Sequence, residues 1–266
     1  MQIGFLILLF IFGACFGSFL CCQARRLHLK SQKKTKDLGS RSICLHCKYQ
    51  LRWYDNIPII SWLLLRGKCR KCHHKIGIAE ILSEVGLALA FLALGTTIDI
   101  QNANLATWIS FTVILLLSLC LAFLAIYDGL YGELPTRYLV ISVFLSIIVL
   151  TIKLISQIQT SGFTASLIYN PLLSILILSG LYFLLYKLSQ GKWVGDGDWL
   201  LGLAIALALI HPWLSLIALF IANLIACLVM YPILRKKKHA KIYLGPFLVI
   251  SFVITYTFSN FLLNLL

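Results

Sequence analysis

Residues 3–22 have the sequence IGFLILLFIFGACFGSFLCC, which contains no charged side chain. A helix that crosses a lipid bilayer needs about 20 consecutive, mostly apolar residues. The stretch therefore predicts a transmembrane helix near the start of the chain. It lacks the basic first segment and the small-residue cleavage site of a secretory signal, so we expect this helix to be retained.

The whole chain shares this apolar character. Of its 266 residues, 60% are hydrophobic and 12% are charged, and the mean hydropathy is +0.92. Soluble domains contain about 45–50% apolar and about 25% charged residues, so the composition excludes a soluble enzyme, a disordered chain and a secreted disulfide scaffold. The predicted fold class is an all-α polytopic membrane protein with about eight transmembrane helices. These predicted helices lie at residues 3–22, 77–95, 107–126, 138–158, 168–187, 199–210, 213–233 and 243–264.

The basic residues are distributed unevenly along the chain. There are 23 lysine and arginine residues against 9 acidic ones, which gives a net charge of +14. If eight helices form, 22 of the 23 basic residues lie in four loops on one side of the membrane, at residues 25–75, 128–137, 187–198 and 235–241. Because loops rich in lysine and arginine stay in the cytoplasm, both chain ends are expected outside. The charge then needs no nucleic-acid partner, and we expect none.

The large basic loop contains two Cys-x2-Cys pairs, Cys44 with Cys47 and Cys69 with Cys72. Four thiolates complete the tetrahedral shell of a structural zinc ion, and paired cysteines of this spacing are typical of such sites. Thiols stay reduced in the cytoplasm, which favours a metal over a disulfide. We therefore predict one zinc ion bound by these four cysteines; the alternatives are a redox dithiol or unligated thiols. The other cysteines lie in apolar runs and are expected to be packing residues: Cys15, Cys21, Cys22, Cys120 and Cys227.

Acidic residues are scarce, and some of them lie where apolar helices meet the basic loops. Asp128 ends the third predicted helix, and Asp198 begins the sixth, after Gly195-Asp196-Gly197. An ionisable side chain at the membrane edge is a default candidate for a functional site. Two carboxyl groups held together share a proton, so that one can activate water while the other protonates a leaving group. The alternative is helix capping and charge balance, which we favour for three other acids: Asp196, Glu133 and Asp55.

Four blocks of the sequence resemble the type IV prepilin peptidases, a family of polytopic aspartic proteases. Gly17-Ser18-Phe19-Leu20 resembles the opening of the family, and residues 44–72 resemble its cysteine domain nearly position by position. Asp128 with Leu134-Pro135 resembles the first catalytic aspartate and its following proline. Gly195-Asp196-Gly197-Asp198 resembles the Gly-x-Gly-Asp motif, whose last residue is the second catalytic aspartate. The blocks occur in the order of the family.

The resemblance implies that Asp128 and Asp198 are a catalytic pair that cleaves the leader from type IV pilin-like precursors. Cleavage is expected at the cytoplasmic face of the bacterial plasma membrane, typically after a glycine. The resemblance also implies that S-adenosylmethionine donates a methyl group to the new N-terminal residue. The chain then has three parts, a first transmembrane helix (1–22), a cytoplasmic loop with the zinc site (23–76) and a transmembrane peptidase domain (77–266).

The chain departs from the family pattern at three places. Cys21 stands where asparagine is usual, residues 79–84 keep only a glutamate of the usual run, and Leu200 stands where lysine is common. None of these positions is an aspartate of the pair or a zinc-type cysteine, so the expected peptidase activity is little affected. A peptidase without efficient methylation is one alternative. The others are a membrane scaffold or transporter that is not an enzyme, and an intramembrane aspartic protease with other substrates.

Overall fold

Apolar helices make up most of the protein, as the sequence predicts. The computed structural model describes residues 2–32, 42–44, 46–192, 194–236 and 243–265. No β-strand forms among these residues, only two isolated β-bridges, and six of their helices are long and apolar enough to cross a membrane. The predicted all-α, multi-pass membrane fold is confirmed. The chain divides into two compact units, Met1–Gly95 and Thr96–Leu266, while the three functional parts expected from the sequence stay a prediction.

The helices differ in length, and two of the apolar ones are short. A 3-10 helix, Trp53–Asn56, precedes α2 (Ile60–Leu64), and a π-helical turn, Leu176–Gly180, joins α6 (Ser166–Ile175) to α7 (Leu181–Ser189). In chain order the helices are α1 (Gln2–Ser31), α2 (Ile60–Leu64), α3 (Ile78–Gly95), α4 (Leu105–Tyr131), α5 (Thr136–Ser161), α6 (Ser166–Ile175), α7 (Leu181–Ser189), α8 (Asp198–Leu209), α9 (Pro212–Lys236), α10 (Gly245–Thr257) and α11 (Ser259–Asn264). The long spans are α1, α3, α4, α5, α9 and the continuous α6–α7 segment; α8 and α10 are the shorter apolar helices.

Two glycines bring α1 and α3 together in the N-terminal unit. A Cβ on Gly13 would lie 2.5 Å from the backbone oxygen of Leu87, and a Cβ on Gly17 would overlap the backbone of Ser83. Small residues four positions apart let the backbones of membrane helices approach closely. The two helices therefore pack backbone to backbone and form the frame that carries the cysteine loop between them.

Three interhelical segments meet at one end of the C-terminal unit. The last turn of α4 is hydrogen-bonded to Gly245 at the start of α10, and Gly197, just before α8, contacts Leu134 between α4 and α5. The described parts of three of the four basic loops therefore lie at the same end of this unit, as expected from the charge pattern.

Lys153, the one basic residue outside those loops, lies towards the other end. Its Nζ atom donates to the backbone oxygen of Ala208 in the last turn of α8, over 3.4 Å, and is 4.5 Å from the ring centre of Tyr256. The charge is therefore satisfied by a carbonyl group and an aromatic face rather than by an acid.

Several helix ends differ from their predicted positions. α1 continues past Cys22 to Ser31, because the following QARRLHLK segment is polar but rich in helix-forming residues. The last predicted helix, 243–264, is interrupted at Phe258, where α10 gives way to α11. Much of the predicted basic sequence, including 33–41 and 237–242, lies outside the described residues.

Candidate active site and metal centre

Asp128 lies in the last turn of α4, with 6% of its surface exposed. Its Oδ2 atom accepts a hydrogen bond of 2.9 Å from the backbone N–H of Gly245, the first residue of α10. The positive end of a helix dipole therefore faces the carboxyl group. A Cβ on Gly245 would lie 2.8 Å from the same oxygen, so only glycine allows this approach.

Asp198 is the first residue of α8, and 7% of its surface is exposed. Its Oδ2 atom accepts a 2.8 Å hydrogen bond from the backbone N–H of Gly195. A Cβ on Gly195 would lie 3.3 Å from that oxygen, closer than most real contacts. The first glycine of the Gly-x-Gly-Asp stretch thus leaves room for the carboxyl group to turn back onto its own loop.

Gly197, the second glycine, joins the two aspartate-bearing segments. A Cβ at this position would lie 2.7 Å from Cβ of Leu134, which follows Asp128 in the Leu134-Pro135 pair. The carboxyl groups of Asp128 and Asp198 interact electrostatically. The structure therefore brings the two aspartates predicted from the sequence into one neighbourhood, each held by one backbone N–H.

The other described acids of the C-terminal unit are exposed. Asp196 accepts a 3.4 Å hydrogen bond from Nε1 of Trp199, Asp99 caps its own turn at Gln101, and Glu133 lies on the surface. These local roles are those expected of capping and surface residues. Asp128 and Asp198 are the buried carboxyl groups among the described residues of this unit.

The four cysteines of the N-terminal unit form one cluster. Their sulfur atoms all lie within 4.8 Å of one another, with 3.9 Å between Cys44 and Cys72 and 4.0 Å between Cys47 and Cys69. Four sulfurs around a tetrahedral zinc ion, each at about 2.3 Å from the metal, lie about 3.8 Å apart. The donor set and its geometry therefore fit a zinc ion. Of the other cysteines, Cys21 is buried as predicted, whereas Cys15 and Cys227 are exposed on their helices.

The two Cys-x2-Cys segments have the same backbone conformation. In each, the N–H of the first cysteine donates to the carbonyl five residues later, and its own carbonyl accepts from the N–H four residues later. Lys48 and His73 occupy equivalent positions, with φ of 57° and 55°. Each segment is closed by a β-bridge, Ile43 with Gln50 and Lys68 with Lys75. Such paired turns aim two sulfurs from each segment at a common point.

The metal-free thiols have strongly different proton affinities. A hydrogen bond from the backbone N–H of Cys72 lowers the pKa of Cys69 to about 7. The backbone N–H of His74 favours the thiolate of Cys72, but desolvation and hydrogen bonds to the neighbouring thiols outweigh it and raise the pKa to about 12. The cluster thus accommodates one negative charge readily and resists further ones unless a cation is present.

Asp55 holds the cysteine loop together. Its Oδ1 atom accepts a 2.7 Å hydrogen bond from Nε of Arg70, between the second pair of cysteines, and its Oδ2 atom accepts one from the backbone N–H of Arg52. This ion pair raises the pKa of Arg70. Asp55 is buried and fully engaged, which supports the structural role favoured for it from the sequence.

A cavity of about 440 Å³ lies beside the cysteine cluster, and no sequence pattern predicts it. Glu80 and Arg25 form an ion pair of 2.5 Å at its wall, with only Oε1 of Glu80 engaged. Oε2 of Glu80 and Nε1 of Trp62 are buried without a hydrogen-bond partner among the described atoms. A Cβ on Gly77 would lie 2.9 Å from Oε2, so this glycine keeps the space beside it open. The signal in the sequence was a pair of glutamates, Glu80 and Glu84, at the start of an apolar helix.

Comparison with known proteins agrees with these features. Residues 11–98 match a family model described as the bacterial peptidase A24 N-terminal domain. A prepilin leader peptidase/N-methyltransferase of Dichelobacter nodosus is 29% identical over 221 residues, which cover 82% of this chain and 71% of the relative. One of Stutzerimonas stutzeri is 25% identical over 279 residues, covering 94% and 89% of the two chains. The resemblance to the type IV prepilin peptidase family is confirmed.

Other relatives match over a shorter stretch at higher identity. A prepilin leader peptidase/N-methyltransferase of Myxococcus xanthus is 39% identical over 89 residues, 34% of this chain but only 25% of the relative's length. All of these relatives carry the names of enzymes, as the sequence predicts for this chain. No solved structure matches the chain significantly.

Proposed function

We propose that the protein is a membrane aspartic endopeptidase that removes the leader peptide from type IV prepilin-like precursors. The observation that carries this proposal is the buried pair Asp128 and Asp198, supplied by two helices and interacting electrostatically. The names of the relatives supply the substrate class. The basic loops at the same end of the C-terminal unit support a site at the cytoplasmic face, with both chain ends outside.

The pair suits hydrolysis of a peptide bond because two close, desolvated carboxyl groups hold one proton between them. The ionised aspartate takes a proton from water as the water oxygen attacks the scissile carbonyl carbon. The protonated aspartate donates its proton to the carbonyl oxygen as the tetrahedral intermediate forms. The other aspartate then passes the proton taken from water to the leaving amine as the carbon–nitrogen bond breaks, and the first aspartate regains its proton as the carbonyl group re-forms. The single backbone donors of Gly245 and Gly195 keep each carboxyl group in place.

The location at helix ends suits a substrate that is itself membrane-bound. A pilin-like precursor has an apolar helix directly after its leader, and that helix would lie in the bilayer. The scissile bond then reaches the membrane edge, where the last turn of α4 and the first turn of α8 place the two aspartates.

The proposal is tested by replacing the aspartates one at a time and assaying a pilin-like precursor in membranes. Asp128→Asn and Asp198→Asn are expected to abolish processing, because each leaves the pair without a shared proton. Asp196→Asn and Glu133→Gln are matched controls, since both carboxyl groups are exposed nearby, and they are expected to process normally. Normal processing by either of the first two variants would exclude the dyad and favour the scaffold or transporter alternative.

The cysteine cluster is proposed to hold one structural zinc ion. All four coordination positions are taken by Cys44, Cys47, Cys69 and Cys72, so no open position remains for a substrate or water. A loop with so small an apolar core gains much of its stability from the metal. The zinc ion then fixes the walls of the neighbouring cavity rather than taking part in hydrolysis.

A second activity, N-methylation of the new N-terminal amine, is proposed for the N-terminal unit. S-adenosylmethionine supplies an electrophilic methyl group when bound. The described residues around the cavity fit it: Oε2 of Glu80 is a buried carboxylate oxygen with no partner among them and can face a sulfonium or ammonium cation, and the indole N–H of Trp62 likewise has no partner among them. Arg25 holds Glu80 in position, and Gly77 leaves the space beside Oε2 open.

Methylation is tested separately from cleavage. Mass spectrometry of the processed substrate reports the added methyl group, and calorimetry reports S-adenosylmethionine binding to the full chain in detergent. Glu80→Gln is expected to weaken binding and abolish methylation while cleavage continues. If the unaltered protein methylates its product and Glu80→Gln binds S-adenosylmethionine equally well, the methyl donor binds somewhere other than this cavity.

A further inference from the structure

Helix α2 turns its apolar side outward. Ile60, Leu63 and Leu64 share one face of the helix, and their exposed fractions are 56%, 59% and 78%. Trp53, in the 3-10 helix that packs against α2, is 79% exposed. An amphipathic helix of a soluble loop buries such residues, so an exposed group of this kind marks an interaction surface. We call these four residues the apolar ridge.

The apolar ridge is exposed because the opposite side of α2 already faces the interior of the N-terminal unit. Ser61, Trp62 and Leu65 line the cavity next to the cysteine cluster. Trp62 also packs against Gly67, where a Cβ would lie 2.9 Å from the indole ring. The helix therefore cannot rotate its apolar side inward without dismantling the cavity wall.

The residue before α2 is hydrogen-bonded to α3, one of the candidate membrane helices. The backbone N–H of Ile59 donates a 2.6 Å hydrogen bond to Oε2 of Glu84, and Ile59 has the unusual φ of 63° for a β-branched residue. Glu84 is about 9 Å along α3 from Ile78, at 1.5 Å per residue. Leu82, in the same turn of α3, is 66% exposed and belongs to the apolar surface of a candidate membrane span. The ridge thus begins beside a part of α3 whose exposed surface is apolar.

Exposed basic residues flank the ridge in the sequence. Arg52, Arg66 and Lys68 are exposed and lie next to it in sequence. Between residues 42 and 77 the only acid is Asp55, which is buried and paired with Arg70. Apolar side chains flanked by exposed lysine and arginine are the composition that binds the interface of a membrane with anionic headgroups.

We propose that the apolar ridge inserts into the headgroup region of the bilayer, with its basic surroundings on anionic phospholipid. The depth of Ile59 beside Glu84 and the charge around the ridge favour lipid over a second protein. Insertion anchors the cysteine loop against the membrane from which α1 and α3 emerge, so that the cavity and the zinc site keep a fixed height above the bilayer. The inference does not depend on the proposed enzymatic activities.

A photo-crosslinking amino acid at position 64 tests the proposal in the full-length protein. The protein is reconstituted in nanodiscs that contain phosphatidylglycerol, irradiated and analysed by mass spectrometry. The same amino acid at Gln50, exposed on the first cysteine turn, is the matched control. We expect lipid adducts at position 64 in several-fold excess over position 50, and a lower yield when phosphatidylcholine replaces phosphatidylglycerol. Equal yields at both positions, or crosslinks from position 64 to protein instead of lipid, would overturn the proposal.

A second measurement leaves the ridge nearly intact. Lipids brominated near the headgroup quench tryptophan fluorescence at short range, and the difference between the unaltered protein and Trp53→Phe isolates Trp53. The quenched signal is expected to be lost in Trp53→Phe, with the zinc content unchanged as a check on folding. A Trp53 signal that bromination leaves unquenched, in a protein with full zinc, would contradict insertion.

Discussion

The backbone N–H of Gly245 donates its hydrogen bond to Oδ2 of Asp128 across 117 positions of the chain. This bond ties the first turn of α10 to the last turn of α4 and directs a helix N-terminus at a buried carboxyl group. The missing side chain of Gly245 is a condition for the contact, because a Cβ would lie 2.8 Å from the accepting oxygen.

Gly245→Ala is therefore expected to displace the Asp128 carboxyl group and to reduce precursor cleavage by about a hundredfold. The measurement is the initial rate of processing in detergent, with thermal unfolding as a check on folding. Gly129→Ala is the matched control, since a Cβ there would lie an ordinary 3.5 Å from Pro246. Equal rates for the two variants would show that the position of Asp128 does not depend on this glycine.

Gly197→Ala is expected to push apart the segments that carry the two aspartates. Its Cβ would lie 2.7 Å from Cβ and 2.8 Å from Cδ1 of Leu134, and overpacking of this kind costs about 1–3 kcal/mol. Leu134→Gly removes both Cβ and Cδ1, so the double variant is expected to process faster than Gly197→Ala alone. A double-mutant cycle with cleavage rate as the readout measures this coupling, and strictly additive effects would contradict it.

The sequence predicts the parts of this protein that depend on local pattern. Apolar runs identify the helices, and the spacing of Cys44, Cys47, Cys69 and Cys72 predicts a cluster whose sulfurs the structure brings together. The contacts of Asp128 with Gly245 and of Gly197 with Leu134 join segments that are distant in sequence. The hydrophobic periodicity of a helix cannot predict such contacts. The role of Glu84 could not be predicted from the sequence either. Its partner is a backbone N–H 25 residues away, which almost any residue type could supply.

The packing of α1 on α3 gives a prediction for the N-terminal unit. Gly17→Leu is expected to separate the helices and to destabilise the unit by about 1–3 kcal/mol, since even a Cβ at this position overlaps the backbone of Ser83. Gly4→Leu is the control, because no atom lies within 4 Å of a Cβ there. Limited proteolysis of the cysteine loop reports the difference, and equal protection in both variants would show that the glycine contact is not needed.

Metal content gives the last prediction. Elemental analysis is expected to find about one zinc per chain, lost in Cys44→Ser with Cys69→Ser and retained in Cys22→Ser with Cys120→Ser. Zinc displaces the proton of Cys72, whose pKa is raised to about 12, whereas Cys69, with a pKa of about 7, is already partly ionised at neutral pH. Protons and zinc compete for the thiolates, so the apparent zinc affinity is expected to rise about tenfold per pH unit for each proton released. Chelator competition at pH 6 and pH 8 measures this slope, and an affinity that stays constant between them would exclude thiolate ligation by this cluster.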